Sequence, residues 1–270
     1  MTLTVHCIVK NEERFVEYAL RSVAPYADHI FVFDTGSTDQ TVPIIRDLQK
    51  QFPQIMLEEK GESDKERHTA LRQEMVERTT TEWFMIVDGD EIWTKRGMAE
   101  AIDRIEENAS LECLIAPFYL CVGDIYHYSS RGMYKIRGQL LHATPRFFRK
   151  TAGLHWKGAY NTDMVVDAEE TPVFEKSAVL FLQHSFWHVS HLIRSSRDDR
   201  EYSSGSVRQW KRRLTYHWIG RPIPEQVPEV FLAIPSPATA RLGRKESFVQ
   251  LFRLVGLKVR QKLESKNKEV

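Results

Sequence analysis

Eight consecutive residues, Phe84-Met85-Ile86-Val87-Asp88-Gly89-Asp90-Glu91, set three carboxylates around a glycine at the end of an apolar run of strand length. A run that is apolar at every position reads as a strand buried on both faces, as in parallel sheets. In open α/β sheets, ligands bind just beyond the carboxyl ends of such strands. Acids crowded at that place repel one another. Two like charges about 4 Å apart cost roughly 4 kcal/mol at an effective dielectric near 20. A hard divalent cation reverses the sign, because carboxylate oxygens are what Mg²⁺ or Mn²⁺ prefers. The same residues also read as a strand closed by an acidic surface turn, and only their surroundings decide between the two.

The elements that would carry these residues alternate in type. Leu3 to Val9 is a β-rich apolar run ending at Lys10-Asn11-Glu12. Helical spacing follows, with Phe15, Val16, Ala19, Leu20 and Val23 on one face and a stop before Pro25. A second buried run, residues 29–33, is closed by Asp34-Thr35-Gly36-Ser37-Thr38-Asp39. Asp39 or Thr41 can cap the next helix, whose inner face is Val42, Ile45, Leu48 and Phe52; Pro43 falls in its first turn, where the missing N–H is tolerated. Residues 55–57 form a short third strand, residues 65–78 a helix, residues 83–87 the fourth strand, and Met98, Ile102 and Ile105 face inward from a helix after it. Four strand–helix units in succession predict a right-handed, doubly wound parallel sheet. Such a sheet lines up residues 10–12, 34–39 and 88–91 along one rim, and that convergence carries more weight than any one motif. Taken alone, residues 34–39 are also a glycine turn with a helix cap.

The second half is less regular. Residues 114–122 read as a strand followed by Gly123-Asp124, and 143–148, 164–166 and 179–183 as short strands. Between 125 and 138, Tyr126, His127, Tyr128, Arg131, Tyr134, Lys135 and Arg137 show no clear period. From Trp187 onward the chain reads as basic and helical, and residues 244–266 form a basic amphipathic pattern. That pattern fits a helix packed on the domain, or a peripheral contact with an anionic membrane.

Composition bounds the function. The chain has 270 residues, 42% hydrophobic and 28% charged, as expected of a globular protein. Its formal charge of +1 gives no argument for nucleic acid as a partner. Cys7, Cys113 and Cys121 lie in apolar runs, as reduced core residues do. No signal-peptide pattern opens the sequence and no stretch approaches the ~20 apolar residues of a membrane span, so a cytoplasmic protein is expected.

Taken in order, Ile8-Val9-Lys10-Asn11-Glu12-Glu13, Phe33-Asp34-Thr35-Gly36-Ser37-Thr38-Asp39 and Val87-Asp88-Gly89-Asp90-Glu91 resemble the family 2 glycosyltransferases of the GT-A fold. Arg67-His68 falls where that family usually has an Arg-Asn pair. Pro145-Arg146-Phe147-Phe148-Arg149 and Trp156-Lys157-Gly158 resemble its Pro-Arg-Leu-Phe-Arg and Trp-x-Gly segments. The resemblance covers roughly residues 1–190. It implies an α/β, Rossmann-like, mostly parallel sheet flanked by helices. Within it, residues 1–110 would hold the nucleotide sugar and 111–190 the acceptor, with a basic helical extension over 191–270.

The resemblance further implies transfer of a sugar, with inversion, from a nucleotide-sugar donor (UDP-linked by analogy) to a hydroxyl of a glycan, lipid-linked or protein acceptor. Mn²⁺ or Mg²⁺ would sit on the diphosphate, at the inner face of the membrane if the basic helix docks there. Carried over by position, Asp34 accepts a hydrogen bond from the base, Lys10 and Glu12 lie near the nucleotide, and Arg67 approaches the donor. Asp88 lies near the ribose with Gly89 beside it, Asp90 on the metal, and Glu91 behind the ligands. A further metal ligand from the C-terminal half is expected, with His184 first and His188 next. Arg194, Arg197 or Arg200 could steady the leaving group.

An inverting transfer also needs a carboxylate to take the acceptor proton. The family often has His-Glu after Trp-x-Gly. Here those positions are Asn161-Thr162, leaving Asp163 one residue on and Asp124 as the rival. That departure keeps open a non-catalytic nucleotide-sugar-binding protein. A sugar nucleotidyltransferase is disfavoured because Lys10-Asn11-Glu12-Glu13 has no glycine where its phosphate loop belongs. A haloacid-dehalogenase-type phosphatase is disfavoured because residue 34 lacks that enzyme's Asp-x-Asp spacing.

Overall fold

Strand β1 (Leu3–Val9) runs through the middle of the molecule, and it is buried along nearly its whole length. The computed structural model describes residues 1–130, 133–160, 162–197 and 220–241. In it β1 is flanked by β2 (His29–Asp34) on one side and β4 (Trp83–Ile86) on the other, both parallel to it. β3 (Ile55–Glu59) adds in parallel beyond β2. The order β3-β2-β1-β4 is the doubly wound half that the alternating pattern predicts. The chain reverses its direction of growth between β1 and β4, so a crevice opens at their carboxyl ends. Helices α1 (Val16–Val23), α2 (Thr41–Gln51) and α3 (Lys65–Arg78) make the crossovers. α3 begins where the Asp64 carboxylate accepts the Arg67 N–H at 2.8 Å, an N-cap in the usual sense.

After β4 the chain makes the acidic turn and a two-residue strand, β5 (Glu91–Ile92), followed by α4 (Lys95–Glu107). The inner face of α4 is Met98, Ala101 and Ile105; Ile102, expected inward, is only half-buried because Ala101 takes the close position. β6 (Cys113–Val122) is the long strand of the second half. A short β7 (His127–Tyr128) folds back on it, and β8 (Tyr134–Ile136) with β9 (Gln139–Leu141) makes a separate hairpin. β10 (Ala143–Arg149) lies antiparallel between β4 and β6, joining the two halves into one sheet. β11 (His155–Lys157) and β12 (Met164–Val166) form another hairpin, and β13 (Val179–Phe181) runs parallel to β6.

Residues 186–191, read from sequence as the start of a helical region, are instead a strand, β14 (Phe186–His191). It pairs in parallel with β6 and antiparallel with β5. Trp187 and Val189 face the core while His188 and Ser190 line the crevice, a period of two that a helix could not satisfy. Residues 220–241 return to the same core through β15 (Arg221–Pro222) and α5 (Glu229–Ala233). There Phe231 packs 5.0 Å from the Tyr18 ring of α1. The basic pattern at 244–266, Arg131, Asn161 and Arg200 lie outside the described residues. No helix among the described residues is long and apolar enough to cross a membrane.

Trp83, Trp93, Phe33, Phe84, Phe147 and Phe186 fill the core, and all three cysteines are buried and free. Polar residues are buried among them too, His6 the most central to the sheet. His6, in the centre of β1, stacks 4.7 Å from Phe84 and 5.9 Å from Phe31, with Nε2 2.7 Å from the Thr79 hydroxyl. Burial, reinforced by the Lys150 and Arg72 charges, lowers its pKa to about 3. The unfolded chain therefore binds one more proton than the folded one between about pH 3 and pH 6.5. Stability contributed by the neutral ring is present above pH 6.5 and is lost as pH falls below it, at about 1.4 kcal/mol per unit. Urea unfolding at pH 6.5 and 5.0 should show this slope, and His6→Phe should flatten it by about one proton's worth.

Candidate functional site

The rim loops that sequence reasoning lined up are tied to one another. Thr35 N–H donates to the Val9 carbonyl at 2.9 Å, and Asn11 N–H to the Ser37 hydroxyl at 2.9 Å. Thr38 N–H returns to the Asn11 side chain at 2.8 Å. Asn11 has φ +55°, a left-handed conformation that asparagine tolerates better than most residues. Gly89 is a matter of space. A Cβ there would lie 2.9 Å from Val9 Cγ1 and 3.0 Å from Glu12 Cγ. Only glycine lets the acidic turn press against the end of β1, which brings Glu12 beside Asp90.

Glu12 and the three acids of the 88–91 turn each have a guanidinium partner. Arg146 on β10 grips Glu91 with Nε and Nη2, and its Nη2 lies 3.7 Å from Asp88. Arg72 on α3 reaches Asp88 at 3.6 Å. Arg194 holds both Glu12 and Asp90, the latter at 3.0 Å. The repulsion expected among crowded acids is thus relieved by three arginines drawn from three separate elements. Burial opposes ionisation of Asp88, but Arg72 and Arg146 prevail and hold its pKa below the ordinary value. Glu91 is fully buried, and burial pushes it up to about 8 against the pull of Arg146.

Glu12, Arg72, Asp88, Asp90, Arg146 and Arg194 line one cavity of about 1000 Å³, with Glu91 behind its wall. One end is formed by residues 8–12, Thr35 and the start of α3; the other is aromatic, with Phe118, Tyr134, Phe148, Trp156, Tyr160 and Phe174. Lys10 lines the first end and pairs with Glu62. Asp34 lies just behind Thr35. One of its oxygens accepts the Gly36 and Ser37 N–H groups, both at 3.0 Å, while the other is buried without a hydrogen-bond partner. Asp163 lies across the cavity, near Thr69 and 3.3 Å from Arg72 Nη1.

Three candidates lie elsewhere. Arg67 turns to the Lys60 carbonyl at 2.5 Å and does not line the cavity, because its position on α3 points along the β3 loop. Asp124 accepts from Tyr126 N–H at 2.8 Å and sits 2.7 Å from His127 Nδ1, which fixes the turn after β6 outside the cavity. His184 precedes β14, with its N–H on Glu100 at 3.0 Å, so it belongs to the α4 side. His188, two pairs of residues further along the strand, is the histidine that reaches the rim, with Nε2 3.7 Å from Asp90 Oδ1.

The fit to a divalent ion follows from this pair. Burial, with Arg146 and Arg194, lowers the His188 pKa against the pull of Asp90, and a neutral imidazole has a lone pair to offer. Asp90 and His188 are one oxygen and one nitrogen donor facing open space. Such a partial shell suits Mg²⁺ or Mn²⁺, which commonly take their remaining ligands from substrate phosphates and water. No group of three His, Cys, Asp or Glu side chains poised to hold a metal occurs among the described residues. Arg194 would have to leave Asp90 for the ion to approach.

Arg194 begins a strap across the rim loops at the end of β1 and β2. Its carbonyl accepts Arg14 N–H at 3.0 Å, Ser195 Oγ donates to Asp39 at 2.5 Å, Ser196 N–H donates to Glu13 at 2.6 Å, and Arg197 donates to the Thr38 carbonyl. Sequence reasoning missed Arg72. The signal was available in the helical spacing Thr69, Arg72, Val76, which puts an arginine on the same face of α3 as two buried residues.

Residues 4–188 match the family model described as Glycosyl transferase family 2. Over 142 residues, 52% of this chain, the sequence is 30% identical to the SPbeta prophage-derived glycosyltransferase SunS of Bacillus subtilis (strain 168). It is equally similar to glycosyltransferase SunS of Bacillus phage SPbeta. The match takes in 32% of each relative, so the chain spans about a third of the length of the curated proteins it matches. The crystal structure of S. aureus TarS superposes with a TM-score of 0.50 over 79% of this chain and 42% of that one, at 14% identity, a likeness of fold.

Proposed function

Because the chain belongs to glycosyltransferase family 2 and has its GT-A fold, we propose that it transfers a sugar from a nucleotide-sugar donor, UDP-linked, to an acceptor hydroxyl with inversion and with help from Mn²⁺ or Mg²⁺. The observation that carries this reading is the shared cavity. Asp88, Asp90 and His188 stand at the lip of the sheet, and Asp163 stands across from them beyond Arg72.

The unpartnered oxygen of Asp34 accepts an N–H of the base, and Lys10 balances charge on the nucleotide. Asp88 receives a hydroxyl of the ribose. Asp90 and His188 would hold the ion, with Glu91, fixed by Arg146, anchoring the turn behind them. A cation held there would supply positive charge against the diphosphate leaving group. Asp163 takes the acceptor proton as the hydroxyl oxygen attacks the anomeric carbon from the side opposite the diphosphate, which inverts the configuration.

The test is to incubate the protein with a panel of nucleotide sugars, with and without Mn²⁺, and to follow nucleoside diphosphate. Metal-dependent release is the expected result. Tight binding of a nucleotide sugar with no release under any condition would instead make the chain a binding module.

A further inference from the structure

We infer that Arg72 is a positioning residue that sets the gap between the donor-side and acceptor-side carboxylates, acting through Asp163. The inference rests on the proposed role of Asp163 as base. Arg72 occupies the middle of α3 and turns inward, its side chain 14% exposed. Its two terminal nitrogens go to different walls of the cavity: Nη1 lies 3.3 Å from Asp163 Oδ2 and Nη2 3.6 Å from Asp88 Oδ1. The guanidinium carbon sits 4.6 Å from the centre of the Trp156 ring, which restrains the plane of the fork. Trp156 is in turn fixed to α3, its N–H donating to Gln73 Oε1 at 2.9 Å.

Neither carboxylate could keep this arrangement unaided. Asp88 lies two residues past the end of β4, whereas Asp163 follows a tight turn at Gly158, where φ is +101° and a Cβ would lie 3.0 Å from the Thr162 carbonyl oxygen. Two negative groups on separate segments drift apart unless something between them binds both. A guanidinium offers two rigidly spaced N–H donors; an ammonium is a single point charge and cannot replace it at both ends.

The two ends differ in what else holds them. Asp88 also has Arg146, 3.7 Å away, so it keeps a cationic partner if Arg72 is lost. Asp163 has no other charged partner within salt-bridge distance among the described residues; Thr69 is its remaining contact, at 3.5 Å. Removing Arg72 therefore loosens the acceptor side and spares the donor side. The acceptor hydroxyl must meet its base within hydrogen-bond reach, and a displacement near 1 Å costs about a hundredfold in rate.

The experiment is a cycle of Arg72→Ala, Asp163→Asn and the double variant, read as kcat, donor KM and the affinity for UDP with Mn²⁺. Arg72→Ala should lower kcat about a hundredfold, with donor KM and UDP affinity within about threefold of the parent. Added guanidinium ion should restore part of the loss. In the Asp163→Asn background the same change should cost nothing further. Arg72→Lys, which keeps the charge and serves if the alanine variant does not fold, should lose about tenfold. Equal losses in both backgrounds, a rise in donor KM in place of a fall in kcat, or parental kcat in Arg72→Lys would each overturn the proposal while leaving Asp163 as the base. Parental kcat in Asp163→Asn alone would overturn the base assignment and the proposal with it.

Discussion

Asp90→Asn is expected to lower metal-dependent turnover at least a thousandfold, about 4 kcal/mol of lost transition-state stabilisation, while the protein remains folded. Asp90 is nearly buried at the end of the acidic turn, with one oxygen facing His188 and the other on Arg194. Asparagine keeps the shape and can still accept from Arg194, so the turn and the strap stay in place. What it removes is the formal charge that draws a divalent ion to this point. The loss should therefore appear in kcat and in manganese binding followed by electron paramagnetic resonance, and not in the thermal midpoint. Full manganese-dependent turnover in the variant would place the ion elsewhere.

Asp163→Asn is expected to lower kcat by roughly a thousandfold, within the range that general-base catalysis supplies, with donor affinity nearly unchanged. The residue faces the cavity from the wall opposite the acidic turn and is 4% exposed. The amide can still accept from Arg72 and Thr69 but cannot take a proton from an attacking hydroxyl. Nucleotide affinity by calorimetry separates the two effects: a fall in turnover at constant affinity marks a base, and a parallel fall in both marks a donor contact. The rival, Asp124, is tied to the Tyr126 N–H and the His127 ring in its own turn, so Asp124→Asn should act on stability and leave the chemistry alone.

The N-terminal half was legible because its signals are local. β1 and β2 are largely apolar runs, α3 covers the residues 65–78 that read as a helix, and the rim loops follow from where apolar runs stop. The C-terminal half was not, because its order comes from pairing between distant segments. β14 carries two histidines and a serine in six residues, and only its place between β5 and β6 makes it a strand. Its alternation of Trp187 and Val189 with His188 and Ser190 was the available signal. Missing it favoured His184 over His188. The arginines illustrate the same limit. Arg67 was chosen by its place in a motif, whereas Arg72, Arg146 and Arg194 meet their acids across 16, 55 and 104 residues of chain. No window along the sequence displays such a meeting.

The contact between Arg194 and the pair Asp90 and Glu12 has a practical corollary. The resting molecule carries its own neutraliser, a tethered side chain standing where a mineral ion would otherwise be needed to quiet the acids. Stripping ions from a preparation would then leave no sign in shape, solubility or melting. Under the proposed function, such a sample would look sound by every measure of folding and still be inactive until a divalent ion was returned.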